Sequence, residues 1–178
     1  LVISLPTYYR LCIPSLLKNH KKVIYLDGDI IVRKDLWKMY NTDISKYYLA
    51  GVKDFGQIAY QKLGVFPDYS KRLGVDSIDT YINAGVLLMN LDKMRKDNME
   101  QKFMAYAKTL KKRGLGLNDQ DVLNATCYKK IKILSPEYNA MQHFTFNEAT
   151  KPVLDKCYDH NDWEKACNDP TIIHYSSS

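Results

Sequence analysis

The stretch Tyr81-Ile-Asn-Ala-Gly-Val-Leu-Leu-Met-Asn-Leu91 is apolar almost throughout, with Asn83 as its internal polar group. It reads as a buried strand, and a strand without a wet face needs covering layers on both sides. Helical periodicity supplies them. Met99, Phe103, Tyr106, Ala107 and Leu110 recur at the spacing of one helical face, and Gly114 stops the run. Thr7 to His20 reads as a helix capped by Thr7 and kinked by Pro14, and Asn118-Asp-Gln-Asp121 opens another that continues from Val122 to Tyr128. Further strands are predicted at Val23–Leu26, Tyr48–Lys53, Lys130–Leu134 and Thr171–Tyr175, whereas residues 54–79 read as irregular, a loop over a site or an insertion. Interleaved helices and buried strands predict an α/β fold with a mostly parallel central sheet flanked by helices, as a single domain over residues 1–178.

Charge is placed most tellingly in Val23-Ile-Tyr-Leu-Asp-Gly-Asp-Ile-Ile-Val-Arg33. An apolar strand does not end in two like charges, one residue apart, unless something positive holds them. In an extended chain Asp27 and Asp29 would share a side, with Gly28 leaving room for backbone or ligand. The competing reading is a turn or cap pair, but apolar residues on both sides make the desolvation of two charges costly without a counter-ion. A hard, oxygen-rich site of this kind suits manganese or magnesium. His174, on the last strand, adds an imidazole that completes a three-ligand set, although alone it would read as a core histidine. Asn83 either satisfies backbone groups or, with Ala84 and Gly85 after it, lets a ligand lie against the strand. Asn118 to Asp121 taken alone reads as a helix cap. Arg10 either pairs with a surface acid or lies buried beside a phosphate or a metal-bound carboxylate.

Composition narrows the classes. At 178 residues with 46% apolar and 26% charged content, the chain is an ordinary globular domain, not a disordered or fibrous one. No run reaches the ~18 apolar residues that span a bilayer. A net charge of +6 favours anionic partners without choosing among them, and the basic run Lys108–Arg113 falls at a predicted helix end, where cations complement the dipole; a membrane or acidic-glycolipid contact is the alternative. Cys12, Cys127, Cys157 and Cys167 form no metal-binding spacing, so reduced thiols in a cytoplasmic protein are expected, a Cys157–Cys167 bridge being the alternative. The opening Leu1-Val-Ile-Ser-Leu5 reads as a piece cut from something longer.

With these residues in hand, the chain resembles the family 8 glycosyltransferases, which include bacterial lipopolysaccharide galactosyl- and glucosyltransferases and, more distantly, glycogenin. The resemblance is collinear over nearly the whole chain. It rests on Thr7-Tyr-Tyr-Arg-Leu11, Val23 to Val32, Ile82 to Leu91, Leu117-Asn-Asp-Gln-Asp-Val-Leu-Asn124 and Ile172-Ile-His-Tyr175. It implies a GT-A fold and retaining transfer of glucose or galactose from a UDP-sugar to a saccharide or glycolipid acceptor, with no nucleic acid involved. The setting it implies is the cytoplasm, with peripheral contact at the inner face of the membrane. Asp27 and Asp29 would match the family's DxD metal motif and His174 its third ligand, for Mn2+ or alternatively Mg2+. Arg10, Asn83, Ala84 and Gly85 would line the donor site, Asp119 would hold sugar hydroxyls, and Gln120 would lie near the face of the anomeric carbon. Gln120 is a poor nucleophile, so front-face displacement fits better than double displacement. The family usually continues after His-Tyr with a glycine and then Lys-Pro-Trp, where this chain reads Ser176-Ser-Ser178. An opening strand and a uridine-binding segment are expected before Leu1.

Two other readings stand beside it. A haloacid-dehalogenase-type phosphatase also places Asp-x-Asp after an apolar strand, but Ile30-Ile31 replaces the small polar pair it wants, and Asn83 and His174 stay unexplained. The second is a sugar-nucleotide-binding module without turnover. Acceptor contacts are expected from residues 54–79 and 141–168, with Tyr138, Phe144, Phe146 and Trp163 as stacking candidates, although most aromatics pack in cores.

Overall fold

The computed structural model describes residues 5–116, 118–141, 155 and 157–176. A 3-10 segment, Leu5–Cys12, runs into α1 (Ile13–Leu16), followed by β1 (Lys22–Leu26), β2 (Ile30–Val32), α2 (Trp37–Tyr40), β3 (Leu49–Lys53), α3 (Phe55–Lys62) and α4 (Tyr69–Leu73). Then come β4 (Ile82–Asn90), α5 (Leu91–Lys96), α6 (Met99–Ala107), α7 (Leu110–Arg113), α8 (Asn118–Thr126), β5 (Ile131–Ile133), β6 (Ala140–Met141), α9 (His160–Asn168) and β7 (Ile172–His174).

The apolar run is β4, and it lies in the middle of the larger sheet, ordered β1-β4-β3-β5. Both its faces are covered. Leu87 and Met89 pack into one cluster with Phe103, Met94 and Val122, while Val86 and Leu88 pack into another with Met39, Ala50 and Ile172. The sheet is not mostly parallel. β4 runs antiparallel to both β1 and β3, and β3 pairs parallel with β5. A run buried on both faces carries no alternation from which direction can be read, so strand polarity was invisible in the sequence. A second sheet, β2-β7-β6, pairs Ile30 with His174 and Met141 with His174.

The first helix is mostly 3-10, with Pro14 at the start of α1 where a missing N–H costs nothing. Residues 54–79 hold two helices, α3 capped by Asp54, which accepts from the Gln57 N–H, and α4 ended by Gly74 at a φ of 82°. Short helices broken by Gly64 and Pro67 leave little periodicity to detect. Likewise the predicted 99–110 face is divided between α6 and α7, and Gly114 does close it, at a φ of 64°. Tyr138 and Trp163 are buried core residues rather than exposed platforms. Cys157 is a free thiol, so no Cys157–Cys167 bridge forms. No helix among the described residues is long and apolar enough to cross a membrane. The Thr7 side chain, Phe144 and Phe146 lie outside what is described.

Candidate functional site

The site is built where β4 loses its partner. Gly51 pairs with Leu87 but Lys53 pairs with Ile82, so two steps along β3 correspond to five along β4. The backbone between them must find other partners, as buried peptide groups do. Asn124 of α8 takes both Ile82 groups at 2.8 Å, and Gln120 Oε1 accepts the Ala84 N–H at 2.9 Å. Arg10 Nη1 donates to the Ala84 carbonyl at 2.7 Å, Asn83 Oδ1 accepts the Gly85 N–H at 2.9 Å, and the Asp27 N–H donates to the Gly85 carbonyl at 2.8 Å. The irregularity also turns the strand over, so that Ile82 and Ala84 share a cluster with Leu87 and Met89 despite opposite parity.

Arg10 braces three elements. Its Nη2 lies 2.9 Å from Asp27 Oδ1, its Nε 2.7 Å from Asp119 Oδ2, and its guanidinium stacks 4.6 Å above the Tyr25 ring. The Tyr25 hydroxyl also donates to Asp27 Oδ1, at 2.6 Å. Protein donors therefore occupy Oδ1 of Asp27, while its Oδ2 faces the space beside Gly85. Asp27 to Asp29 form a turn between the two sheets instead of an extended strand, so the pair converges through that turn and not through strand alternation. β7 brings in the histidine: His174 is paired with Ile30, the Tyr175 N–H donates to the Asp29 carbonyl at 2.9 Å, and His174 Nε2 lies 3.2 Å from Asp29 Oδ1. One ligand atom from each of Asp27, Asp29 and His174 fits within 4.8 Å of the others. This set of two carboxylates and one imidazole fits a hard or borderline divalent cation.

The Gly85 position shows why a glycine stands there. A Cβ would collide with the His174 ring and approach Asn83 Oδ1 and Asp27 Oδ2 to 3.0 Å each. The space a side chain would take there is thus filled by the protein's own histidine, while Ala84 and Gly85 still line the cavity. Gly28, by contrast, has nothing within 4 Å of its Cβ position.

Asn118-Asp-Gln-Asp121 is far more than a cap. Asp119 faces Arg10, Gln120 and Asn124 dock α8 onto β4 one turn apart, and Asp121 Oδ1 accepts the buried hydroxyls of Tyr69 at 2.6 Å and Tyr81 at 2.8 Å. Burial first, and Asp121 next, push both phenols well above their ordinary range, so they remain donors. Because a backbone N–H can only donate, Gln120 Oε1 is identified as the acceptor; its Nε2 then donates to Asp54 Oδ2 at 2.9 Å. Asp54 and Asn139 are site residues that sequence reading missed. Both sit just outside strand ends and carry no motif.

Asp119 is 5% exposed, and burial lifts its carboxyl from 3.8 to about 6 against the opposing pull of Arg10. A folded value above the unfolded one means the folded state holds the proton more tightly, so this group's contribution to stability falls as pH rises from about 4 through about 6. The shift corresponds to ~3 kcal/mol. Thermal melts of wild type and Asp119→Asn between those pH values should diverge with that sign, and parallel curves would contradict the burial argument.

Arg10, Asp27, Asp29, Asn83, Ala84, Gly85, Asp119, Gln120 and His174, the nine residues assigned in the sequence to the metal and donor sites, line one open cavity of about 230 Å3 together with Ser176, whereas the stacking candidates Tyr138 and Trp163 do not.

Comparison with known proteins places the chain in a family and a fold. The model of the family described as Glycosyl transferase family 8 matches residues 2–178. General stress protein A of Bacillus subtilis is 30% identical over 176 residues, covering 97% of this chain and 57% of that protein. The galactosyltransferase LgtC, solved in complex with donor and acceptor sugar analogues, superposes with a TM-score of 0.78 at 25% identity, over 98% of this chain and 59% of that one. The apo WbbM bifunctional glycosyltransferase superposes at 0.81 and 23% identity, over 100% of this chain and 32% of that one, a likeness of fold. The chain thus spans less than two thirds of these relatives. A match along the full chain disfavours the phosphatase reading.

Proposed function

The chain belongs to glycosyltransferase family 8 and has a GT-A-type α/β fold, and on that premise we propose that its protein is a metal-dependent retaining hexosyltransferase using UDP-glucose or UDP-galactose. The observation that carries the reading is the convergence of Asp27, Asp29 and His174 in a cavity whose lining also includes Arg10, Asp119 and Gln120. At about 230 Å3 the cavity is below the ~300–1,000 Å3 of a whole-ligand pocket. That size suits the sugar-diphosphate end of a donor.

In this mechanism Asp27, Asp29 and His174 would hold a divalent cation, Mn2+ or Mg2+. Bound there, the cation would neutralise charge gathering on the departing diphosphate. Arg10 keeps Asp27 oriented and its own charge beside the site, and the Asp119 carboxylate accepts from sugar hydroxyls. The hydrogen bonding of Gln120 supports front-face displacement, because its carbonyl oxygen already accepts from Ala84 and its amide nitrogen donates to Asp54. The bond from the anomeric carbon to phosphate oxygen breaks as the bond to the acceptor oxygen forms on the same face. The acceptor's proton passes to the leaving phosphate oxygen. The acceptor is a saccharide or glycolipid of a surface glycan such as lipopolysaccharide. The protein works in the cytoplasm, in peripheral contact with the inner face of the membrane; free thiols at Cys12, Cys127 and Cys157 and the cationic last turn of α7 support that setting.

Incubating the full-length protein with each UDP-hexose should release UDP from at least one of them, and a chelator should stop it. UDP binding without release would favour the module that has lost turnover. Donor KM should also rise as pH falls through about 6, where Asp119 takes up its proton; a KM flat across that range would remove Asp119 from the donor site.

A further inference from the structure

We propose that Asn139, which lies outside the cavity lining, selects the tautomer of His174 and so aims a bare Nε2 at the metal position. The inference deepens the metal reading above and rests on it. The Gly85 N–H can only donate, so the Asn83 atom that receives it at 2.9 Å is a carbonyl oxygen. That oxygen also faces the side-chain amide of Asn139 at 3.0 Å, which must therefore present its Nδ2. The other end of the same amide, Oδ1, then faces His174 Nδ1 at 2.9 Å and can only accept. Nδ1 of the neutral ring then carries the proton, against the competing pull of Asp29, whose carboxylate oxygen lies 3.2 Å from Nε2 and would accept from a proton there.

Burial makes the relay decisive. Asn139 is 0% exposed and His174 2%, so water does not compete for these positions. The fold sets the alignment: Asn139 immediately precedes β6, whose parallel pairing with β7 places Ala140 opposite Ile173 and Met141 opposite His174. Asn139 is a positioning residue, acting on the cation only through the ring it orients. Partners of this kind, one bond removed from a metal, typically contribute ~10–100-fold in affinity.

The test is 15N NMR of the full-length protein labelled at histidine, metal-free and at alkaline pH where imidazoles are neutral. The relay requires His174 to be protonated at Nδ1 and bare at Nε2, and a proton on Nε2 in the wild type would overturn it without any variant. In Asn139→Leu the proton should shift toward Nε2 and Mn2+ affinity, read by calorimetry, should weaken by ~10–100-fold. Unchanged tautomer and affinity in a folded Asn139→Leu would also overturn the proposal. The two readings fail differently: a bare Nε2 with no Mn2+ affinity removes the metal site and leaves the relay, while Mn2+ affinity with a proton on Nε2 before loading removes the relay alone.

Discussion

Asp29→Asn should lower manganese-dependent UDP affinity by at least ~100-fold while leaving the melting temperature nearly unchanged. The magnitude follows from rank: groups that merely orient metal ligands contribute up to about 100-fold, so a direct anionic ligand should contribute no less. The small effect on folding follows from what Asp29 touches. Its side chain is 47% exposed and, among the described residues, its carboxylate is ion-paired with His174 alone, whereas the bond that ties the turn to β7 comes from its backbone carbonyl. Asparagine preserves that bond and relieves the like charge beside Asp27, so stability should stay within ~0.5 kcal/mol. Calorimetry with and without Mn2+, beside a thermal melt, reads both quantities. Wild-type affinity in the variant would take Asp29 out of the site.

Gly85→Ala should damage both fold and site through one methyl group. The backbone at Gly85 does not need the left-handed region, so the substitution is opposed by space alone. The ring it would strike is buried, hydrogen-bonded to Asn139 and on a paired strand, and cannot retreat without breaking that bond. Overpacking of this kind costs ~1–3 kcal/mol. Displacing His174 would also remove a ligand, so Mn2+ affinity should be lost together with the shift in denaturation midpoint. Gly28→Ala is the control. With nothing within 4 Å of its Cβ position, it should leave stability near wild type, and any loss of donor affinity there would report a ligand lying against the turn. A Gly85→Ala protein as stable as wild type and equally able to bind Mn2+ would mean that His174 does not sit against β4.

What was legible in the sequence was burial and charge. The run from Ile82 to Leu91 declared a strand covered on both faces, and the acidic pair drew the eye by its charge, although the desolvation reasoning does not hold for Asp29, which is half-exposed with Ile31 and Val32 at the surface after it. Strand direction was not legible, since it depends on pairings between Lys22–Leu26, Leu49–Lys53 and β4 that are distant in sequence. Nor was the work of α8. Asn118-Asp-Gln-Asp121 has the composition of a cap, and only the interrupted pairing of β4 creates the orphan backbone groups that Gln120 and Asn124 satisfy. Asn139 and Asp54 escaped for a related reason. Each is a single polar residue whose importance lies in which atom it offers to a neighbour far along the chain, and no local pattern encodes that.

The decisive measurement is a calorimetric titration of UDP into the full-length protein with and without manganese. Binding that appears only with the metal is the predicted result, because Asp27 and Asp29 present like charge to a diphosphate until a cation lies between them. Equal binding in both conditions, or none in either, would contradict a metal-held diphosphate in this cavity.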